Sequence, residues 1–180
     1  MRRVWIALAV VVALLLAVVA IGLLLPREHV ASVRVRYAAA PRDVYETIAN
    51  VAHGAEWRSG VERVELLPDS AGMVRWRETA DWGTLAFERI VDEPGRRIVA
   101  RIVDEGQGFG GTWTWEIEAD GAGSVVTISE AGYVDNPFYR FMSRFVMGYY
   151  ASLETYARDL GRRLGEDVRA ERLERAAPDR

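Results

Sequence analysis

The chain has no cysteine, no lysine, and only two histidines in 180 residues. Without cysteine there are no disulfides, thiolate zinc sites or cysteine nucleophiles, a composition compatible with either side of a membrane. His29 and His53 alone cannot build a poly-histidine metal centre, and neither a metal nor a cofactor is expected. All 23 basic residues are arginine, the kind of usage that genome composition produces. From Arg27 onward 21 Arg stand against all 26 acids, a formal net charge of −5. No concentrated basic face results, which argues against a nucleic-acid partner. Long apolar runs are also scarce: there is one.

That run extends from Val4 to Leu25, between Arg2-Arg3 and Pro26-Arg27-Glu28. As a helix it would span roughly 33 Å, the thickness of a bilayer's hydrocarbon core. A cleaved signal peptide is the competing reading. Its apolar segment is usually shorter and ends at a small-x-small site, whereas this one ends in Leu23-Leu24-Leu25-Pro26. The expected organisation is therefore a transmembrane helix over 4–25, one soluble domain over 29–165 and a charged, fraying tail over 166–180. Arg2 and Arg3 favour a cytoplasmic amino terminus and an extracytoplasmic domain. Arg27, Arg34, Arg36 and Arg42 on the other side weaken that bias, so the side stays open.

The soluble part opens with an alternating strand, Val30 to Tyr37, followed by a helix entered at Ala40-Pro41-Arg42-Asp43 and a short helix at Glu56-Trp57-Arg58. After a strand from Val61 to Leu67, a meander of hairpins begins at Met73. A turn at Asp81-Trp82-Gly83-Thr84 places Arg77 opposite Glu88. A type II turn at Glu93-Pro94-Gly95-Arg96 places Glu88 opposite Arg101. The other face then carries Val74, Trp76, Glu78, Phe87, Arg89, Val91, Ile98, Ala100 and Ile102. A last hairpin, Thr112–Glu118 with Val125–Glu130, sets Trp113, Trp115 and Ile117 against Val126 and Ile128. From Asn136-Pro137, Phe138, Phe141, Met142, Phe145, Tyr149, Leu153, Tyr156 and Leu160 recur at helical spacing and predict one long helix with an aromatic stripe.

This order resembles the helix-grip fold of the START-like (SRPBCC) superfamily, in particular its polyketide cyclase/dehydrase branch. The likeness is carried by Ala39-Ala40-Pro41-Arg42-Asp43-Val44-Tyr45, Glu56-Trp57-Arg58-Ser59-Gly60-Val61, Phe109-Gly110-Gly111-Thr112-Trp113-Thr114-Trp115 and Asn136-Pro137-Phe138-Tyr139-Arg140-Phe141. It implies an α+β fold in which a curved seven-stranded antiparallel sheet wraps around a long C-terminal helix. It also implies a cavity between sheet and helix for a lipid, quinone or polyketide-like molecule. It does not imply a reaction, because members of that superfamily share a cavity rather than a catalytic motif.

The expected ligand-binding residues are Trp76, Glu78, Phe87, Arg89, Trp113, Trp115, Phe141, Phe145 and Tyr149. Glu78, Arg89 and Glu130 fall on the interior face. In the expected register Arg89 lies opposite Trp76 and diagonal to Glu78, and Glu130 lies opposite Trp113. Such charges form an internal ion pair, orient a ligand's polar head, or transfer protons. His53 has no nucleophile-elbow sequence to serve, and Gly106–Gly111 is Gly-rich but precedes no helix that could bind phosphate. The tether between anchor and first strand, about four residues, reaches roughly 14 Å and holds the domain against the headgroups. Trp82, Phe109 and Phe138, in the loops at that end, are the expected portal to the membrane. The expected function is a membrane-anchored binding protein for a small apolar ligand. The alternatives are a cyclase/dehydrase-type enzyme using Glu78, Arg89 or Glu130, and a scaffold with a sealed core.

Overall fold

The computed structural model describes residues 2–81, 83–103, 106 and 108–173. Helix α1 (Arg2–Leu24) is long and apolar enough to cross a membrane, and a signal sequence near the amino terminus has the same character. Strand β1 (Glu28–Tyr37) follows, then α2 (Pro41–Ala49) and a 3-10 turn at Val51–Glu56. The meander comprises β2 (Val61–Ser70), β3 (Met73–Ala80), β4 (Gly83–Glu93), β5 (Arg97–Ile102), β6 (Phe109–Asp120) and β7 (Gly123–Val134). After β7 come α3 (Pro137–Met142), a π turn at Ser143–Met147, α4 (Ala151–Arg163) and β8 (Glu171–Leu173). The strands form one antiparallel sheet ordered β2-β3-β4-β5-β6-β7-β1-β8. Sheet and α4 together make the helix-grip α+β fold.

Alternation along β1 puts Ala31, Val33, Val35 and Tyr37 inside, against Val126 and Ile128 of β7 and Trp115 and Ile117 of β6. Leu153, Tyr156, Ala157 and Leu160 of α4 bury their faces on this surface. At the far end the Tyr37 hydroxyl donates to the Ala157 carbonyl (2.8 Å). Beyond α4, the Glu166 carboxylate accepts from the Ala38 and Ala39 amides at 2.7 and 2.9 Å. Buried Asp159 accepts from the Ser59 amide and hydroxyl (2.5 and 3.0 Å) and from Arg162. These bonds fix the position of α4 along the sheet.

Three expectations are corrected. First, the β3–β4 hairpin turns one residue earlier than expected, which slips the register by two. Ala80 pairs with Gly83, so Arg75 rather than Arg77 lies opposite Glu88, and Phe87 rather than Arg89 lies opposite Trp76. Arg75 and Arg77 share a face and a charge, so a slip of two left the pattern intact. Glu88 does lie opposite Arg101, whose Nη2 donates to it at 2.7 Å.

Second, the long C-terminal helix is broken. Asn136 caps α3, accepting from the Phe138 amide at 2.9 Å, but the chain then widens to a π turn closed by Gly148 N–H on Ser143 O (3.0 Å). Gly148 has φ +76°, a left-handed conformation that L side chains avoid and that ends the helix. The helix on the sheet is therefore α4 alone, while α3 packs on the end of α1. Third, the tail does not simply fray. Glu171–Leu173 adds an eighth strand beside β1, held by Arg172 on Glu154 (2.5 and 3.1 Å) and by Arg172 over the Tyr150 ring (5.0 Å).

Candidate functional site

The inner face of the sheet toward the α1 end is built differently from the aliphatic far end. Trp76 and Phe87, opposite each other on β3 and β4, stack at 5.5 Å with 14° between the rings. Trp113 and Trp115 stand two apart on β6 and so share a face, with centroids 5.8 Å apart. Tyr156 of α4 reaches both, at 5.8 and 5.5 Å, and meets Trp57 edge-on at 5.3 Å. Phe87 and Trp113 remain half-buried although both belong to this apolar surface.

A charged pair lies beneath the aromatics. The Glu78 carboxylate is buried and accepts from the Trp76 indole N–H (2.8 Å) and from Arg58. Arg58 stands over the Tyr156 ring, 5.3 Å from its centroid. Burial works against the Arg58 charge, but Glu78, Tyr156 and Asp159 outweigh it and hold the guanidinium firmly protonated. Burial pushes the Tyr156 hydroxyl well above its ordinary range. Arg58 opposes that shift, and Glu78 adds to it. The indole N–H of Trp115 is buried with no hydrogen-bond partner among the described residues. An orphaned donor of this kind costs free energy until an acceptor reaches it.

The rim beside α1 is polar. Glu130 lies opposite Trp113, as expected. Its carboxylate accepts from the Ser152 hydroxyl at 3.3 Å and stands 3.9 Å from His29 Nε2. The His29 ring stacks on Tyr149 at 4.2 Å and 9°, and occupies the space that a Cβ at Gly132 would need. Burial raises the Tyr149 hydroxyl's pKa, against the pull of Arg144.

Trp76, Glu78, Phe87, Trp113 and Trp115 thus belong to one surface, with Tyr149 on its rim. Glu78 and Arg89 do not form a pair. Arg89 instead donates to Asp92 (2.9 Å) and to the carbonyl of Ala49 at the end of α2, tying that helix to β4. The rings of Phe141 and Phe145 meet each other at 5.0 Å. Among the described residues neither makes a ring contact with the sheet, because Gly148 turns their segment away. Phe109 begins β6 opposite Val134, and Phe138 lies in the first turn of α3, both at the α1 end. Trp82 lies outside the described residues. Sequence reasoning missed Arg58 and His29. The Trp-Arg pair at 57–58 was visible, but no spacing rule connects it to Glu78, 20 residues later.

Two hollows, of about 310 and 800 Å3, open on polar parts of the surface. The smaller involves Asp43, His53, Trp57 and Arg163, and the larger the α4–β8 margin. His53 bonds Glu56 at 2.5 Å within the first of these regions. Both hollows lie outside the layer between sheet and α4.

A family model described as polyketide cyclase/dehydrase and lipid transport matches residues 28–162. No curated protein matches the chain. Among solved structures, the di-domain aromatase/cyclase StfQ of the steffimycin biosynthetic pathway is 18% identical, with a TM-score of 0.56. The match covers 77% of this chain but 52% of that one, so the chain spans about half its length. The Zhui aromatase/cyclase from Streptomyces sp. R1128 is 19% identical with a TM-score of 0.54, covering 76% of this chain and 93% of that one. Norcoclaurine synthase from Thalictrum flavum is 14% identical with a TM-score of 0.61, covering 77% and 87%. At these identities the likeness establishes a shared fold.

Proposed function

The chain belongs to the polyketide cyclase/dehydrase and lipid transport family, and on that footing we propose that it binds a small apolar ligand between the sheet and α4. The protein would do so while held at a membrane by α1. The observation that carries the reading is the half-buried aromatic surface of Phe87 and Trp113 beside the orphaned Trp115 N–H. Broad apolar walls with a few polar groups are what small-ligand sites are made of. Phe87, Trp113 and Tyr149 would contact the apolar body. A ligand carbonyl or hydroxyl oxygen would accept from Trp115, and the Glu130–Ser152–His29 rim would take a polar end. Glu78 already holds Arg58 and Trp76, so its part is to shape the floor.

The test is mass spectrometry of organic extracts from the full chain purified from its own host, against a Tyr149→Trp variant prepared identically. Bulk membrane lipids are common to both samples. A molecule present in stoichiometric amount with the native chain and absent from the folded variant is the expected result. Identical extracts would count against a site here.

A second reading, cyclisation or dehydration of a polyketide-like substrate, draws support from the named activities of the aromatase/cyclase neighbours. On this chain it would fall to Glu130, whose carboxylate lies half-buried opposite Trp113 with a histidine beside it. Glu130→Gln would then abolish turnover with the chain still folded.

A further inference from the structure

We propose that the π-turn segment Arg144–Met147 is a second membrane contact, seated in the bilayer interface alongside the end of α1. The proposal rests on α1 lying in a bilayer, and the junction between helix and domain carries it.

α1 does not lead into the domain through a loose tether. Gly22 is buried against α3 so closely that a Cβ there would stand 1.9 Å from the Pro137 carbonyl oxygen. Arg140 of α3 donates through Nη1 to the carbonyls of Gly22 (3.3 Å) and Leu25 (3.0 Å) and through Nη2 to that of Asp135 (2.8 Å). The Gly22 carbonyl also accepts from the Leu25 N–H at 3.3 Å, and the Leu25 carbonyl lies just past the last helical residue, where no helical donor follows. Arg27 pairs with Asp135, and Val134 N–H donates to the Arg27 carbonyl at 2.9 Å.

On α1 Val18 is half-buried and Gly22 buried, Leu25 just past its end is half-buried, and the residues between them are exposed. Spacings of four and three place them on one face. At 1.5 Å per residue that covered face extends about 10 Å from the end of the helix, the depth at which interfacial helices rest their apolar side. The segment that follows α3 therefore emerges at headgroup level. There Phe145, Val146 and Met147 are 58%, 62% and 64% exposed, three consecutive large apolar side chains that the described residues leave largely uncovered. Arg144 stands over the rings of Phe145 (5.8 Å) and Tyr149 (6.0 Å), a cation at the edge of an apolar patch. Exposed Tyr133 and Tyr139 belong to the same end, and tyrosine is enriched at membrane–water boundaries. A lipid surface, apolar below and anionic at the level of the arginine, fits this patch, which follows directly on the helix that packs against α1.

The absence of cysteine makes the test direct. Leu15→Cys in α1, Val146→Cys, and Ala122→Cys at the far β6–β7 turn would each be spin-labelled in the full chain. The labelled chains would be reconstituted in vesicles of phosphatidylcholine and phosphatidylglycerol. Collision with a water-soluble relaxation agent should be several-fold lower at positions 15 and 146 than at 122. Gly22→Leu, which cannot share space with the Pro137 carbonyl, should return position 146 toward water. If position 146 is as accessible as 122 while 15 is protected, the second contact is wrong and the anchor stands. If 15 is accessible too, both fail. An unchanged position 146 in the Gly22→Leu variant would refute the junction as what seats it.

Discussion

At the end of the sheet away from α1, Val35, Val126, Ile117 and Leu160 fill the space between sheet and α4, all nearly or completely buried. At the end beside α1 the same layer holds Phe87, Trp113, Tyr149 and Glu130, all half-buried, with a buried glutamate paired to a half-buried arginine beneath. The same strands and the same helix serve both ends, so the difference lies in what fills the layer. Aliphatic side chains in close contact leave no room and fix α4. Aromatics around a few polar groups leave edges and an orphaned N–H that a further molecule would satisfy. The broken helix accounts for the contrast. Gly148 diverts α3 onto α1, and the layer is left without its expected aromatic lid.

Substitutions separate the two ends by size of effect. Leu160→Ala removes a fully buried side chain where nothing can collapse, and should cost about 3–5 kcal/mol in urea unfolding. A loss below about 1 kcal/mol would mean that the far end is not close-packed. Glu78→Gln strands the Arg58 charge beneath the aromatics, at a cost of about 3 kcal/mol. A double Arg58→Met, Glu78→Gln variant should recover part of that loss, and a failure to recover would show that the pair was not the source. Trp113→Ala, at the half-buried end, should cost about 1–2 kcal/mol, less than a sealed tryptophan, while abolishing ligand retention. If the stability loss matched that of Leu160→Ala, the comparison would collapse.

Titration sharpens the contrast further. Burial raises the hydroxyls of Tyr37 and Tyr156 above the ordinary value of 10.0. A raised folded value contributes stability below pH 10 that is lost as pH climbs toward it. Their phenolate absorbance should therefore rise together with alkaline unfolding, whereas half-buried Tyr149 should titrate before it. The smallest effect concerns β8. Arg172 lowers the Glu154 carboxyl below 4.5, so the stabilisation it gives is present above that value and fades as pH falls through the folded one. Hydrogen exchange at 171–173 should quicken over that window with the rest of the sheet unchanged.

Much of the sheet was legible because alternation is local. The strand faces follow from it, and Glu88 meets Arg101 as expected, although Glu93 pairs with Arg97 beside the turn and a register shift between Arg89 and Val91 restores the pairing. The β3–β4 register was not, since two arginines spaced by two satisfy the same charge test. Periodicity also carried the apolar stripe straight through Gly148, where only the backbone conformation ends the helix. Of the site, the aromatics were readable because they alternate with polar residues. Arg58 and His29 were not, because each reaches its partner through tertiary contact between segments far apart in sequence.

The most direct measurement is photo-crosslinking of the full chain in vesicles with a diazirine-bearing fatty acid, mapped by peptide mass spectrometry and competed with the unlabelled acid. A ligand site at the half-buried end predicts competable labels on the β4 and β6 peptides carrying Phe87 and Trp113, lost in Tyr149→Trp. Labels confined to α1 and the 144–147 segment, with none on β4 or β6, would contradict it.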